Sequence, residues 1–338
     1  MNAGTDGPIP RAAVQSARAE LEAQLAEGRV RAHFERRFEL AAELRERYAR
    51  VLGCDPAELA LMTSTSQGLG VVLAALDLGP GDEIVTSDSE HPGLIGPLIA
   101  ARERGATVRA VPFGALADAV GPATKLVACS HVNWHTGELA PAALAEVDVP
   151  VLLDGAQGAG AVPVDVGALA CAAYAASGQK WLCGADGTGM LYLEPSFAER
   201  LRVLSPSYIS FADVSRGLES PLHADARRFD TPSLAREALA FSLAALETLL
   251  AFGLDDVLER ARRLAAVLAG ALGERGRRVA PRGDTTLVAW EDDDPEATRE
   301  RLAEAGIAVR NLPGTPYLRA SVGAWNDERD LQRLLAAA

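Results

Sequence analysis

Near the start of the chain, apolar residues recur every three to four positions among charges. Residues 12–27 carry such a stripe and stop at Gly28; residues 34–52 carry Phe34, Phe38, Leu44, Tyr48 and Leu52 and stop at Gly53. Both are predicted to be amphipathic helices lying over a core, each closed by a glycine. From Asp55 the pattern changes to short continuous apolar runs at 59–62, 83–86, 107–111, 126–129, 149–153, 172–176 and 190–193. Runs too short for helices, alternating with helix-length segments, predict βαβ units and a mostly parallel sheet buried on both faces.

Residues 205–234 contain Pro206, Pro221 and Pro232 without a periodic pattern, which predicts a loop at the end of the sheet unit. Helical periodicity returns over 235–272, interrupted at Gly253. Residues 285–291, 307–310 and 317–321 then read as strands, flanked by helices that begin at Pro295 and Asp327. The pattern divides the chain into an N-terminal helical segment (1–54), a large α/β domain with a seven-stranded, mostly parallel sheet (55–240), and a helical link with a smaller α+β C-terminal domain (241–338). At 338 residues the chain is long enough for two domains and a large core.

Composition narrows the partners. The chain is 49% hydrophobic and 23% charged, ordinary for a folded protein, and its net charge of -13 argues against nucleic acid or an anionic membrane surface as partner. Neither an export signal nor a membrane span is predicted, and Cys54, Cys129, Cys171 and Cys183 lack metal-ligand or disulfide-framework spacing. A cytoplasmic location is the expectation. Among the 33 basic residues only two are lysine, Lys125 and Lys180. Arginine cannot give up its proton or form a Schiff base, so a lysine kept in such a sequence marks a place where an amine is needed. Lys125 opens an apolar run and reads as a strand-end surface cation.

Lys180 stands in Ser177-Gly178-Gln179-Lys180-Trp181-Leu182-Cys183-Gly184, just past a predicted strand. In Val151-Leu152-Leu153-Asp154-Gly155-Ala156-Gln157, Asp154 sits at the carboxyl end of a buried run, where open α/β sheets bind ligands. Taken alone, Asp154 reads equally well as a helix cap. Met62-Thr63-Ser64-Thr65-Ser66-Gln67-Gly68 leaves a strand and enters a helix, offering hydroxyls and free N–H groups of the kind that hold phosphate. An amine, an acid and a phosphate cup together suggest a pyridoxal phosphate site. The glycine clusters at 155–160 and 184–189 lack the G-x-G-x-x-G order, and no G-K-[ST] loop occurs, which disfavours a dinucleotide-binding oxidoreductase.

With Ser89-Glu90-His91-Pro92-Gly93, Ser130-His131-Val132-Asn133-Trp134-His135-Thr136-Gly137, Arg228-Phe229-Asp230-Thr231-Pro232, Arg319-Ala320-Ser321 and Trp325-Asn326, the set resembles the class V aminotransferase family of fold type I pyridoxal phosphate enzymes. That family includes cysteine desulfurases, C–S lyases and isopenicillin N epimerases. The resemblance spans nearly the whole chain and implies that Lys180 binds pyridoxal 5'-phosphate covalently, Asp154 pairs with its ring nitrogen and His91 stacks on the ring. It puts Gln157 and Asn133 near the phenolic oxygen. Ser64, Thr65, Ser177 and Gln179 resemble the phosphate contacts, although many relatives carry histidine in place of Gln179. Thr231 resembles a phosphate ligand donated by a second subunit, which implies a homodimer with shared sites. Arg319 resembles the residue that grips the substrate carboxylate, and Asn2-Ala3-Gly4-Thr5 a loop that closes over the substrate and that relatives usually precede with further residues.

The implied substrate is a small amino acid. Expulsion of a β-substituent gives a lyase, reprotonation on the cofactor an aminotransferase, and reprotonation of Cα from the other face an epimerase. Desulfurases that accept sulfur as a persulfide need a cysteine on the loop before the carboxylate-binding arginine, and no cysteine follows Cys183. The segments around His91, Trp134 and Lys180 look closest to the cysteine/cystine C–S lyase branch. The leading expectation is therefore β-elimination from cysteine, cystine or an S-substituted cysteine, with an epimerase or aminotransferase as the alternative.

Overall fold

A computed structural model describes residues 1–337 of the chain. It begins with α1 (Arg11–Glu27) and α2 (Arg31–Leu52), the latter ended by Gly53 in the left-handed conformation at φ +69°. There follow β1 (Leu59–Met62), α3 (Thr65–Ala75), β2 (Glu83–Ser87), α4 (Pro92–Glu103), β3 (Thr107–Val111), β4 (Thr124–Ser130), β5 (Val151–Asp154), β6 (Ala173–Ser177) and β7 (Gly189–Leu193). These seven strands form one sheet in the order β1-β7-β6-β5-β4-β2-β3, parallel except that β7 runs against both its neighbours. The fold is the expected mostly parallel α/β architecture.

Strands β1, β5, β6 and β7 are buried along their whole length, as continuous apolar runs require of a sheet covered on both faces. One core joins Leu40, Leu44 and Leu52 of α2 to Val127, Leu153 and Met190. The other joins Leu69, Val72 and Leu73 of α3 and Leu94 and Leu98 of α4 to Leu126, Leu152 and Leu191. At Gly68 an added Cβ would stand 2.9 Å from the Ala175 side chain. This close approach seats the start of α3 against the middle of β6.

After α5 (Pro195–Arg200), residues 205–234 form a loop containing short 3₁₀ turns, before α6 (Arg236–Ala251) and α7 (Leu254–Glu274), which part at Gly253. The chain closes with β8 (Leu287–Glu291), α8 (Pro295–Glu304), β9 (Arg310–Asn311), β10 (Tyr317–Ser321) and α9 (Glu328–Ala337), an antiparallel β8-β10-β9 sheet with its own core. Several expected strand ends move by one to three residues, two of them for a plain reason. Pro150 has no N–H to donate, so the run expected from 149 begins as β5 at Val151. The strand expected over 307–310 starts only at Arg310, because Ile307 N–H bonds back to Leu302 O to finish α8 through Gly306 at φ +71°. Among the described residues no single helix is long and apolar enough to cross a membrane.

Candidate active site

Ser87, Ser130, Asp154 and Ser177 end parallel strands β2, β4, β5 and β6 and so meet at one edge of the sheet. Lys180 follows β6 by three residues. Asp154 is 4% exposed, and one of its carboxylate oxygens accepts the Ala156 N–H at 2.9 Å. Burial raises its pKa, while Lys180 and that N–H pull it down. Burial also lowers the pKa of Lys180, which Arg319 and Arg310 lower further against the opposing charges of Asp154 and Asp6. The amine therefore releases its proton more readily than a surface lysine.

Beside it lies the start of α3. Ser64 caps this helix, its hydroxyl accepting the Gln67 N–H at 3.1 Å. The Thr65 N–H donates to Ser177 Oγ at 3.0 Å and the two hydroxyls lie 2.6 Å apart, which joins both predicted phosphate contacts into one cup. Gln179 Oε1 is buried without a partner. Thr231 lies beside the same turn: its N–H donates to Leu61 O at 2.9 Å and its hydroxyl accepts from Gln67 Nε2 at 3.4 Å. The preceding Asp230 takes a bidentate ion pair from Arg45 of α2, at 2.7 and 3.1 Å, and accepts the Leu61 N–H at 2.8 Å.

His91 caps α4, its Nδ1 accepting the Gly93 N–H at 3.0 Å. Its ring meets Trp134 edge-on at 4.9 Å. Burial and the cations Lys180, Arg310 and Arg319 lower its pKa to about 4, so the ring is neutral and free to stack on an aromatic ligand. Asn133 donates to Ser89 Oγ at 2.9 Å and accepts the His135 N–H at 2.9 Å. Gln157 accepts from Trp181 Nε1 at 3.0 Å and donates to Gly4 O at 2.8 Å. The N-terminal segment thus forms a wall of the site: Asn2 bridges to Ser321, and a Cβ at Gly4 would stand within 2.9 Å of Ser321 Oγ, Gln157 Oε1 and Arg319 Nη2. Only glycine leaves room there.

Arg319 of β10 is fully buried. Its Nη1 donates to Trp134 O, while Nε and Nη2 find no partner, nor do the neighbouring Ser321 Oγ and His135 Nε2. Burial and Arg310 push its pKa down from the ordinary arginine value, which marks a place where an incoming anion is favoured. Arg310 escaped the sequence analysis. It stands opposite Arg319 in the β9–β10 pairing, lies over Trp134 at 5.7 Å and donates to Thr5 Oγ1 at 3.3 Å, without a carboxylate partner among the described residues. One arginine among 31 gave no signal of its own.

These residues fit the pyridoxal phosphate that the sequence resemblance implies. Lys180 would supply the amine, Asp154 a buried anion for the ring nitrogen and His91 a neutral stacking ring; Thr65, Ser177 and the first N–H groups of α3 would cup the phosphate, and the unpartnered Arg319 nitrogens would suit a carboxylate.

The fold and this set of strand-end groups define fold type I of the pyridoxal phosphate enzymes. The aminotransferase class-V model matches residues 2–334, and the chain belongs to that family. It is 30% identical to an isopenicillin N epimerase of Streptomyces clavuligerus, over 100% of this chain and 93% of that one. It is also 30% identical to the cysteine desulfurase CsdA of Escherichia coli, over 89% of this chain and 82% of that one. The solved complex of the cystine C–S lyase C-DES with its reaction product cysteine persulfide superposes with a TM-score of 0.93 at 28% identity, covering 99% of this chain and 95% of that one.

Proposed function

We propose that the protein is a C–S lyase that removes a sulfur leaving group from cystine, cysteine or another S-substituted cysteine, releasing pyruvate and ammonia. At the coarser level, the chain is a pyridoxal phosphate-dependent enzyme of the class V family acting on amino acids. Bound pyridoxal phosphate supplies the electron sink for the pair left when the Cα proton is removed. Asp154 keeps the ring nitrogen protonated, and Arg319 holds the α-carboxylate and aims Cα at Lys180. Lys180, the amine beside Asp154 at the strand end, would take the Cα proton. Gly4 and its neighbours limit the space above and keep water out.

The observation that carries the lyase reading is the second guanidinium. Arg310 lies beside Arg319 without an acidic partner among the described residues, suited to the distal carboxylate of a substrate such as cystine, whose leaving group is itself an amino acid. A persulfide relay is disfavoured because burial raises all four thiols, with Cys54, Cys171 and Cys183 pushed up to about 12. Elimination needs no enzyme thiol. The segment around Thr231 resembles a partner-donated phosphate ligand, and that resemblance alone points to a homodimer with shared sites; within one chain Thr231 already lies beside the start of α3.

The test is pyruvate release from cystine, cysteine and a panel of S-substituted cysteines by the cofactor-loaded protein, followed by coupled reduction to lactate. Activity greatest on cystine supports the reading; no pyruvate from any of them overturns it. The Streptomyces clavuligerus relative favours epimerisation as the second reading, and transamination is the remaining alternative. Deuterium exchange at Cα without pyruvate would mark the former, and amino transfer to a keto acid the latter.

A further inference from the structure

Glu90 is a buried carboxyl that the proposed reaction leaves unused. It lies between β2 and α4, directly before His91, and is 4% exposed. Ser87 Oγ donates to its Oε1 at 2.5 Å and Ser130 Oγ to its Oε2 at 2.5 Å, while the Ser130 N–H spans both oxygens at 3.1 and 3.0 Å. Ser87 ends β2 and Ser130 ends β4, so one carboxylate ties two strand ends to the loop that carries His91. A second tie runs alongside it, from Asn133 Nδ2 to Ser89 Oγ at 2.9 Å. Ser130 is also the register partner of Asp154 on β5.

No arginine, lysine or histidine forms an ion pair with Glu90 among the described residues. Taking a carboxyl out of water without a cation is costly, and an apolar side chain would fill the same space without that cost. The charged and titratable groups around it are Asp154 from β5, Cys129 from β4, His91 at the start of α4, and Asp88 and Arg102, which line the recess on its outer side.

We infer that Glu90 is a positioning residue of this site: its carboxylate fixes the His91 loop against the Ser130–Asn133 segment and places a second acid beside Asp154. The inference rests on the reading of the site as a pyridoxal phosphate site. Burial pushes Glu90 up to about 7, with the Ser130 and Ser87 hydrogen bonds pulling down and Asp154 pushing up, so its charge changes in the neutral range. A cofactor ring held between His91 and Asp154 would register that change.

The experiment is a pH titration of the visible absorbance of the cofactor-loaded protein without amino acid, for the wild type, Glu90→Gln and Ser87→Ala. The wild type is expected to show an inflection that Glu90→Gln displaces by about half a pH unit or more. Ser87→Ala removes one donor to the carboxylate and should move the inflection upward by about half a pH unit or more. Should Glu90→Gln fail to fold by circular dichroism, the Ser87→Ala shift decides alone. Superimposable curves for the folded variants overturn the positioning role while leaving the cofactor reading intact. Absence of any visible band in the wild type overturns the cofactor reading and this inference with it.

Discussion

A guanidinium with no exposed surface and two nitrogens without partners is held at a cost that a bound anion offsets. Arg319→Met is therefore expected to raise KM for every amino-acid substrate about 100-fold, roughly 3 kcal/mol, while the visible cofactor band still forms. Arg310→Met should raise KM for cystine about tenfold and leave cysteine nearly unchanged, which the ratio of the two KM values checks. One buried histidine makes the stability of the fold depend on pH. His131, buried with its Nδ1 3.0 Å from the Tyr174 hydroxyl, is lowered by burial to about 4. Its folded pKa lies below the unfolded value of about 6.5, so the unfolded chain binds the proton first and stability falls as pH drops from about 6.5 to about 4. For His131 that is at most about 3 kcal/mol. Urea unfolding at pH 7 and pH 4.5 should show the loss, and His131→Asn should lessen it.

The helices and strands show why some of the site was legible in the sequence and some was not. Lys180 and Asp154 stood out because chemistry confined a rare residue type and a carboxylate to the ends of buried apolar runs, and both lie at the sheet edge where those runs end. Arg310 did not stand out, because only the two-residue pairing of β9 with β10 sets it opposite Arg319, and that strand starts three residues later than the apolar pattern suggested. The strap through Glu90 was hidden for a similar reason: Ser87, Glu90 and Ser130 meet only once β2 lies beside β4. A further long-range tie, Arg45 on α2 to Asp230, fixes the loop that holds Thr231 against β1. Burial raises the Asp230 pKa despite its cation, so removal of Arg45 strands a buried carboxylate. Arg45→Met is predicted to destabilise the fold by about 3–5 kcal/mol, measured by chemical denaturation.

At the scale of the whole molecule, the larger sheet presents Asp154 and Lys180 and the smaller one presents Arg319 and Arg310, with the N-terminal segment wedged between them through Asn2, Gly4 and Gly7. A homodimer is checked by sedimentation, which should give twice the chain mass. The central claim is that Lys180, Asp154 and the two arginines direct one Cα deprotonation toward loss of sulfur. Proton NMR of cystine incubated in D2O with the cofactor-loaded protein tests this most directly, with Lys180→Ala as control. The account predicts that pyruvate accumulates as cystine disappears, and that the Lys180→Ala protein produces none. Cystine that gains deuterium at Cα and loses its optical activity while no pyruvate forms would contradict it.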